Sequence, residues 1–243
     1  MIERYSRRIL FSGKGEEGQK KLGSSSVLII GCGALGTIIA SSLVRAGVGR
    51  IKIVDRDFIE YHNMQRQVPF DEDDIEKGLP KAVAAERRLK KINSSVDVEG
   101  IVTDVNFANV ERLITGTDLI LDGLDNLETR FLINDASLKY KVPWVYGGAS
   151  SSYGMTMNII PGQSPCFKCF YTSSPGNGII PTCDTAGVIS PALFIIGSLE
   201  AVEAMKILVG AEKEINRNLI LIDVWTESFE RFDIVPLLWG KFA

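Results

Sequence analysis

The chain has 243 residues, enough for one large domain or two small ones and for a sizeable core. Hydrophobic residues make up 45% and charged residues 23%, and the net charge of −3 excludes a global basic field that would gather nucleic acid or an anionic membrane. Four cysteines at this length are too few for a disulfide scaffold and point to a reducing compartment.

The opening segment MIERYSRRIL is charged and lacks the apolar run of a signal peptide, so a cytoplasmic setting is expected. Residues 23–44 carry no charge, but their glycines and serines, and the change of pattern at Gly31, argue against a membrane span. A short apolar run at 27–30 reads as a buried strand entering the turn GCGALG. Leu35, Ile38, Ile39, Leu43 and Ala46 then recur at helical spacing until Gly47. A second strand at 51–54 ends at Asp55, and Pro80 opens a helix with Ala82, Ala85, Leu89 and Ile92 on one face.

Further on, 96–102 reads as a strand, 110–114 as a short helix and 119–121 as a buried strand. Residues 126–141 are predicted helical with Leu127, Phe131 and Leu138 inward. Strands follow at 144–146 and 154–160, then a loop rich in Pro, Gly and Ser at 162–181. A long helix at 191–209 precedes a closing hairpin at 219–224 and 229–235. The expected fold is α/β: a Rossmann-like, doubly wound, largely parallel sheet continuing into a mixed or antiparallel second half, in one domain.

Gly31, Gly33 and Gly36 form G-x-G-x-x-G between a strand and a helix, where glycines allow close phosphate approach and helix amides face an anion. Asp55, 19 residues beyond Gly36, is placed to accept ribose hydroxyls. This fingerprint serves NAD and ATP alike. The residues that separate them follow: Asp57, Asn63, Arg66 and Gln67, then Lys81. Arg66 and Lys81 suit a triphosphate tail and the charge that develops during attack at phosphorus. A hydride-transfer site commonly needs a proton donor such as histidine, and the single histidine, His62, has no assignable role. At the end of the fourth predicted strand, Asp122-Gly123-Leu124-Asp125-Asn126 brings carboxylates to the ligand edge of the sheet. Asp125 is a reasonable magnesium ligand. Asn126 is open to a capping role and Asp122 to a structural one.

Taken together, RYSRRILF from Arg4, GCGALG, DRDFIEYHNMQRQ, GLPKA, DGLDN, CFKC and TCDTAGV resemble, in order and spacing, the E1-like adenylating enzymes of ThiF, MoeB and HesA type. The resemblance runs from about Arg4 to about Asp233. It implies adenylation of the C-terminal glycine carboxylate of a ubiquitin-like sulfur carrier by Mg-ATP, giving acyl-adenylate and pyrophosphate. By motif position, Asn63, Arg66 and Lys81 would contact phosphates and Asp125 would hold magnesium. Asp55 would bind ribose, with Asp57, Gln67 and Asn126 also at the nucleotide. Arg7 would reach into a partner subunit's site, which implies a homodimer. The implied layout is an N-terminal arm at 1–25, a nucleotide-binding half at 26–150 and a carrier-binding and dimerisation half at 151–243. Neither nucleic acid nor membrane is an expected partner. Alternatives are activation of a short peptide or a tRNA base and, more remotely, NAD-dependent redox chemistry.

Cys183 matches the position where some relatives link covalently to the carrier, and a small buried residue explains it equally well. Cys166 and Cys169 match the first half of a family zinc site whose second C-x-x-C the tail PLLWGKFA lacks, so structural zinc is expected to be absent. Leu237, Leu238 and Trp239 are candidates to replace it by packing.

Overall fold

The computed structural model describes residues 2–11, 15–171 and 186–234. Two short helices, α1 (Ile2–Ile9) and α2 (Gly15–Ser24), lead into strand β1 (Ser26–Ile30). The first half then alternates: α3 (Ala34–Ala46), β2 (Arg50–Val54), α4 (Glu72–Glu76), α5 (Lys81–Ile92), β3 (Asp97–Ile101), α6 (Val110–Ile114) and β4 (Leu119–Asp122). Helix α7 (Leu127–Tyr140) crosses to β5 (Trp144–Ser150), which turns directly into β6 (Tyr153–Ile159). Helix α8 (Ser190–Val209) and the hairpin β7 (Leu219–Asp223) and β8 (Ser228–Phe232) complete the described elements.

The eight strands form one sheet in the order β3-β2-β1-β4-β5-β6-β7-β8. Pairing is parallel from β3 to β5 and antiparallel from β5 to β8, as the sequence pattern predicts. Period-two alternation explains the two cores. Val27, Ile29, Ile51, Ile53, Leu119 and Leu121 face a layer of α3, α5 and α8, while Leu28, Ile30, Ile120, Trp144 and Tyr146 face α6 and α7. Because the chain leaves β1 in one direction and returns at β4, the carboxyl ends of these neighbours bound the crevice where such sheets take ligands.

Helix α7 turns Leu127 and Phe131 inward as predicted but departs from the prediction at Leu138. Leu138 is exposed, and the fully or nearly buried positions are Arg130, Ile133, Asn134, Ala136 and Ser137. Apolar periodicity missed this face because polar side chains occupy it and find buried partners. Asn134 Oδ1, for one, accepts the Phe167 amide at 2.8 Å. The C-x-x-C segment is a single 3-10 turn (Phe167–Cys169), anchored by Phe167 inside a cluster of Phe131, Trp144, Tyr146, Phe170 and Tyr171. None of the helices among the described residues is long and apolar enough to cross a membrane.

Candidate functional site

The crevice begins at the glycine turn. Gly31 takes a φ of +96° and donates its amide to Val54 at 2.8 Å, turning the chain off β1. A Cβ on Gly36 would meet the Gly31 carbonyl oxygen at 2.0 Å, and one on Gly31 would meet the Gly123 oxygen at 2.3 Å. The turn, the start of α3 and the loop after β4 therefore touch backbone to backbone, and side chains at these positions would force them apart. Gly33 begins α3 without a side-chain cap, so first-turn amides remain free to face an anion.

Asp55 braces the turn. Its Oδ2 accepts the Cys32 amide at 2.6 Å and its Oδ1 the Asp57 amide at 2.7 Å. Burial pushes its carboxyl above the ordinary range, while those two amides and Lys81 pull it back. Lys81 is buried at the start of α5, and its Nζ lies 3.1 Å from Asp57 Oδ2. One ammonium donor is thus used on Asp57, with two remaining. The Lys81 carbonyl lies 3.7 Å from Cys32 Sγ, which sets α5 against the glycine turn. Burial holds the Cys32 thiol well above its ordinary value, so it stays a neutral packing group.

The segment HNMQRQ closes another side. A short 3-10 turn (Tyr61–Asn63) buries Asn63, whose Oδ1 accepts the Glu60 amide at 3.0 Å. Gln67 is buried, with its Oε1 lacking a partner among the described residues. A Cβ on Gly33 would lie 3.9 Å from Gln67 Nε2, so this loop reaches the turn itself. Arg66 is half-buried; it donates to the His62 carbonyl at 2.9 Å and has no carboxylate partner among the described residues. His62 is an exposed surface residue 3.1 Å from Glu60, and its main chain, not its ring, serves Arg66.

The last side is the loop after β4. Asp122 is fully buried and paired with Arg130 at 2.9 Å, a structural role. Asn126 caps α7, accepting the Thr129 amide at 2.9 Å. Asp125 is exposed, with only Asn126 Nδ2 near it at 3.4 Å and no cation paired to it among the described residues. Magnesium takes near-octahedral oxygen ligands, commonly one or two carboxylates completed by phosphate and water. A carboxylate without a paired cation among the described residues, at the crevice edge of the sheet, fits that demand. A dedicated cage does not occur: no cluster of three or more His, Cys, Asp or Glu suited to a metal occurs among the described residues.

One predicted site residue lies elsewhere. Arg7 is exposed on α1, which is fastened by Tyr5 against Gly47 and Asn93, the far ends of α3 and α5. The glycine turn and Lys81 stand at the opposite ends of those helices, about 20 Å away at 1.5 Å per residue. Cys183 lies outside the described residues, as do Leu237, Leu238 and Trp239. Cys166 and Cys169 sit with sulfurs 3.6 Å apart, and burial raises the Cys169 thiol.

Sequence reasoning missed Arg130 and Glu200. Glu200 is fully buried in α8, with both carboxyl oxygens unpartnered among the described residues. The signal was present: Glu200 follows directly on the uncharged stretch from Pro191 to Leu199, within the predicted long helix.

Fold and crevice together define a Rossmann-like α/β protein with an antiparallel extension to its sheet. The model of the ThiF family matches residues 5–237, and the chain belongs to that family. It is 50% identical over 214 residues to the sulfur carrier protein ThiS adenylyltransferase of Bacillus subtilis (strain 168), covering 88% of this chain and 63% of that protein. The chain thus spans somewhat less than two thirds of that relative's length. It is 35% identical to the SAMP-activating enzyme E1 of Haloferax volcanii, covering 94% of this chain and 84% of the relative. Among solved structures, the crystal structure of E. coli MccB with ATP superposes with a TM-score of 0.83 at 24% identity, covering 95% of this chain and 71% of MccB. That likeness concerns the fold.

Proposed function

We propose that this chain is an ATP-dependent adenylyltransferase acting on the C-terminal glycine of a small ubiquitin-like sulfur carrier. The observation that carries the reading is the convergence on Cys32 and Gly33 of three separate segments. Asp55 holds the Cys32 amide at 2.6 Å, the Lys81 carbonyl lies 3.7 Å from Cys32 Sγ, and Gln67 reaches Gly33. Lys81, packed against that turn, and Arg66, beside Gln67 and without a carboxylate partner among the described residues, suit a triphosphate tail. The names of the two curated relatives support the same reading.

In this mechanism the carrier carboxylate attacks the α-phosphorus of ATP. A carboxyl oxygen–phosphorus bond forms, the bond from that phosphorus to the β-phosphate bridge breaks, and pyrophosphate leaves. The nucleophile is already ionised, so no general base is required. Catalysis is positioning and charge neutralisation. Asp55 takes the ribose, the first amides of α3 take a phosphate, Arg66 and Lys81 neutralise the departing pyrophosphate, and Asn63 donates its side-chain amide to it. Asp57 tethers Lys81, Gln67 lines the turn and Asn126 keeps Asp125 at the head of α7. Magnesium, held by Asp125, would supply further charge neutralisation on the phosphates.

Because α1 is fastened far from its own glycine turn, Arg7 serves the site of a second copy in a homodimer. Residues 151–243 take the carrier, and Cys183 is its candidate covalent acceptor. Cys166 and Cys169 hold no stoichiometric zinc, since they supply only two of the four ligands a structural zinc takes. The reaction is assigned to the cytoplasm. ATP–pyrophosphate exchange with a carrier ending in Gly-Gly tests the reading. Exchange that survives both Arg66→Ala and Asp125→Ala, or that needs only a free short peptide, contradicts it.

A further inference from the structure

The loop between β4 and α7 is held by one buried side chain. Arg130, on the first turns of α7, sends Nε to Asp122 Oδ2 at 2.9 Å. Its Nη2 donates to the Leu124 carbonyl at 2.6 Å and to the Gly147 carbonyl at 2.8 Å. Asp122 Oδ1 accepts the Leu124 amide at 2.9 Å. Both ends of Leu124 are therefore gripped by the same ion pair.

This grip stops one residue short of Asp125. The Leu124–Asp125 peptide is planar, so fixing the Leu124 carbonyl also fixes the Asp125 amide. On the other side, the Asn126 cap fixes the next residue. Gly123 is backed against the turn, where an added Cβ would lie 2.4 Å from the Gly31 oxygen. Asp125, touched only by Asn126 Nδ2 at 3.4 Å and paired with no cation among the described residues, stands between two fixed points.

A buried ion pair is weak evidence for stability, because desolvating both charges offsets much of their attraction. Here the guanidinium reaches three acceptors on β4, the loop and β5, with the Tyr146 ring 5.2 Å from its carbon. Such a fork locks orientation in a way that an ammonium, a point charge, does not.

We propose that Arg130 is a positioning residue for nucleotide-bound magnesium, setting the place of Asp125 relative to the glycine turn through Asp122 and the Leu124 carbonyl. The inference rests on the reading of Asp125 as the magnesium carboxylate. Arg130 itself touches neither metal nor nucleotide.

The test is calorimetric binding of ATP at a series of Mg²⁺ concentrations, with metal-free AMP binding as the companion measurement. Loss of a partner that holds a metal-binding carboxylate costs about 10–100-fold in metal affinity. Arg130→Lys is expected to raise the Mg²⁺ concentration for half-maximal tightening of ATP by at least about tenfold, with AMP affinity unchanged. If Arg130→Lys yields no folded protein, Asp122→Asn keeps the shape, removes the charge and is expected to give the same rise. An unchanged Mg²⁺ requirement, or parallel losses of AMP and ATP binding, overturns the proposal. Asp125→Ala separates the two levels. If it raises the Mg²⁺ requirement while Arg130→Lys does not, the positioning role fails and the magnesium reading stands. If Asp125→Ala leaves the requirement unchanged, the magnesium reading fails and takes the proposal with it.

Discussion

Gly123→Ala puts the geometry of the crevice under direct strain. The new Cβ would lie 2.4 Å from the Gly31 oxygen and 3.0 Å from Gly36 Cα, whereas ordinary contact begins at 3.4 Å. Both neighbours are backbone, so neither can swing aside, and the loop must part from the turn by about 1 Å. Overpacking of this kind costs typically about 1–3 kcal/mol. For a domain of this size that is a fall in Tm of roughly 2–12 °C. The functional cost is larger, because a displacement of about 1 Å can cost on the order of 10²-fold in rate. Gly116→Ala is the comparison: its φ is +75° and nothing lies within 4 Å, so it carries only left-handed strain of about 1–2 kcal/mol. Thermal melts and calorimetric ATP binding on both variants check the argument. A folded Gly123→Ala protein that binds ATP as tightly as wild type refutes the reasoning about the turn.

Other expectations follow from individual residues. Glu200 is a buried acid whose carboxyl is pushed well above the ordinary range, first by burial and then by the Asp122 charge. The folded state thus binds more protons than the unfolded state above the ordinary glutamate range, and stability is lost as pH rises through the raised folded value. Glu200→Gln removes that loss, so its Tm relative to wild type should climb as pH rises above the ordinary glutamate range; parallel curves would contradict the assignment. Tyr5→Phe removes a buried oxygen that accepts from Asn93 Nδ2 at 2.8 Å and should cost about 1 kcal/mol in denaturant unfolding. Mixing Arg7→Ala with Asp125→Ala protein should restore about a quarter of wild-type adenylation, because random exchange makes half the dimers mixed and each holds one intact site. No recovery on mixing would put Arg7 in its own subunit's site or outside any site.

The parallel half of the sheet was legible because each strand alternates between two cores and the crossover helices α3 and α5 keep an apolar stripe. The turn GCGALG was legible because backbone contact between Gly31, Gly36 and Gly123 leaves no room for side chains. What the sequence concealed was polar and buried. Arg130 reads as a surface charge until its three acceptors on separate elements are seen. Glu200 reads as one polar residue of an apolar helix until its place over Gly147 appears, where an added Cβ would meet its Oε1. Leu138 was expected inward because hydrophobicity marks a core face only when apolar residues fill it, and α7 buries Arg130, Asn134 and Ser137 instead. Arg66 and Lys81 can be picked out by residue type, but the Asp57 pairing of Lys81 depends on folding that brings separate segments together.

The central claim is that a carrier carboxyl terminus becomes joined to AMP in this crevice. Intact-mass spectrometry of a Gly-Gly-ending carrier, incubated with this protein and Mg-ATP, reads that bond directly. The account predicts a carrier heavier by one adenylyl group on its terminal glycine, formed with release of pyrophosphate and absent when that glycine is removed. An unmodified carrier, in a sample where the protein is folded and binds ATP, would contradict it.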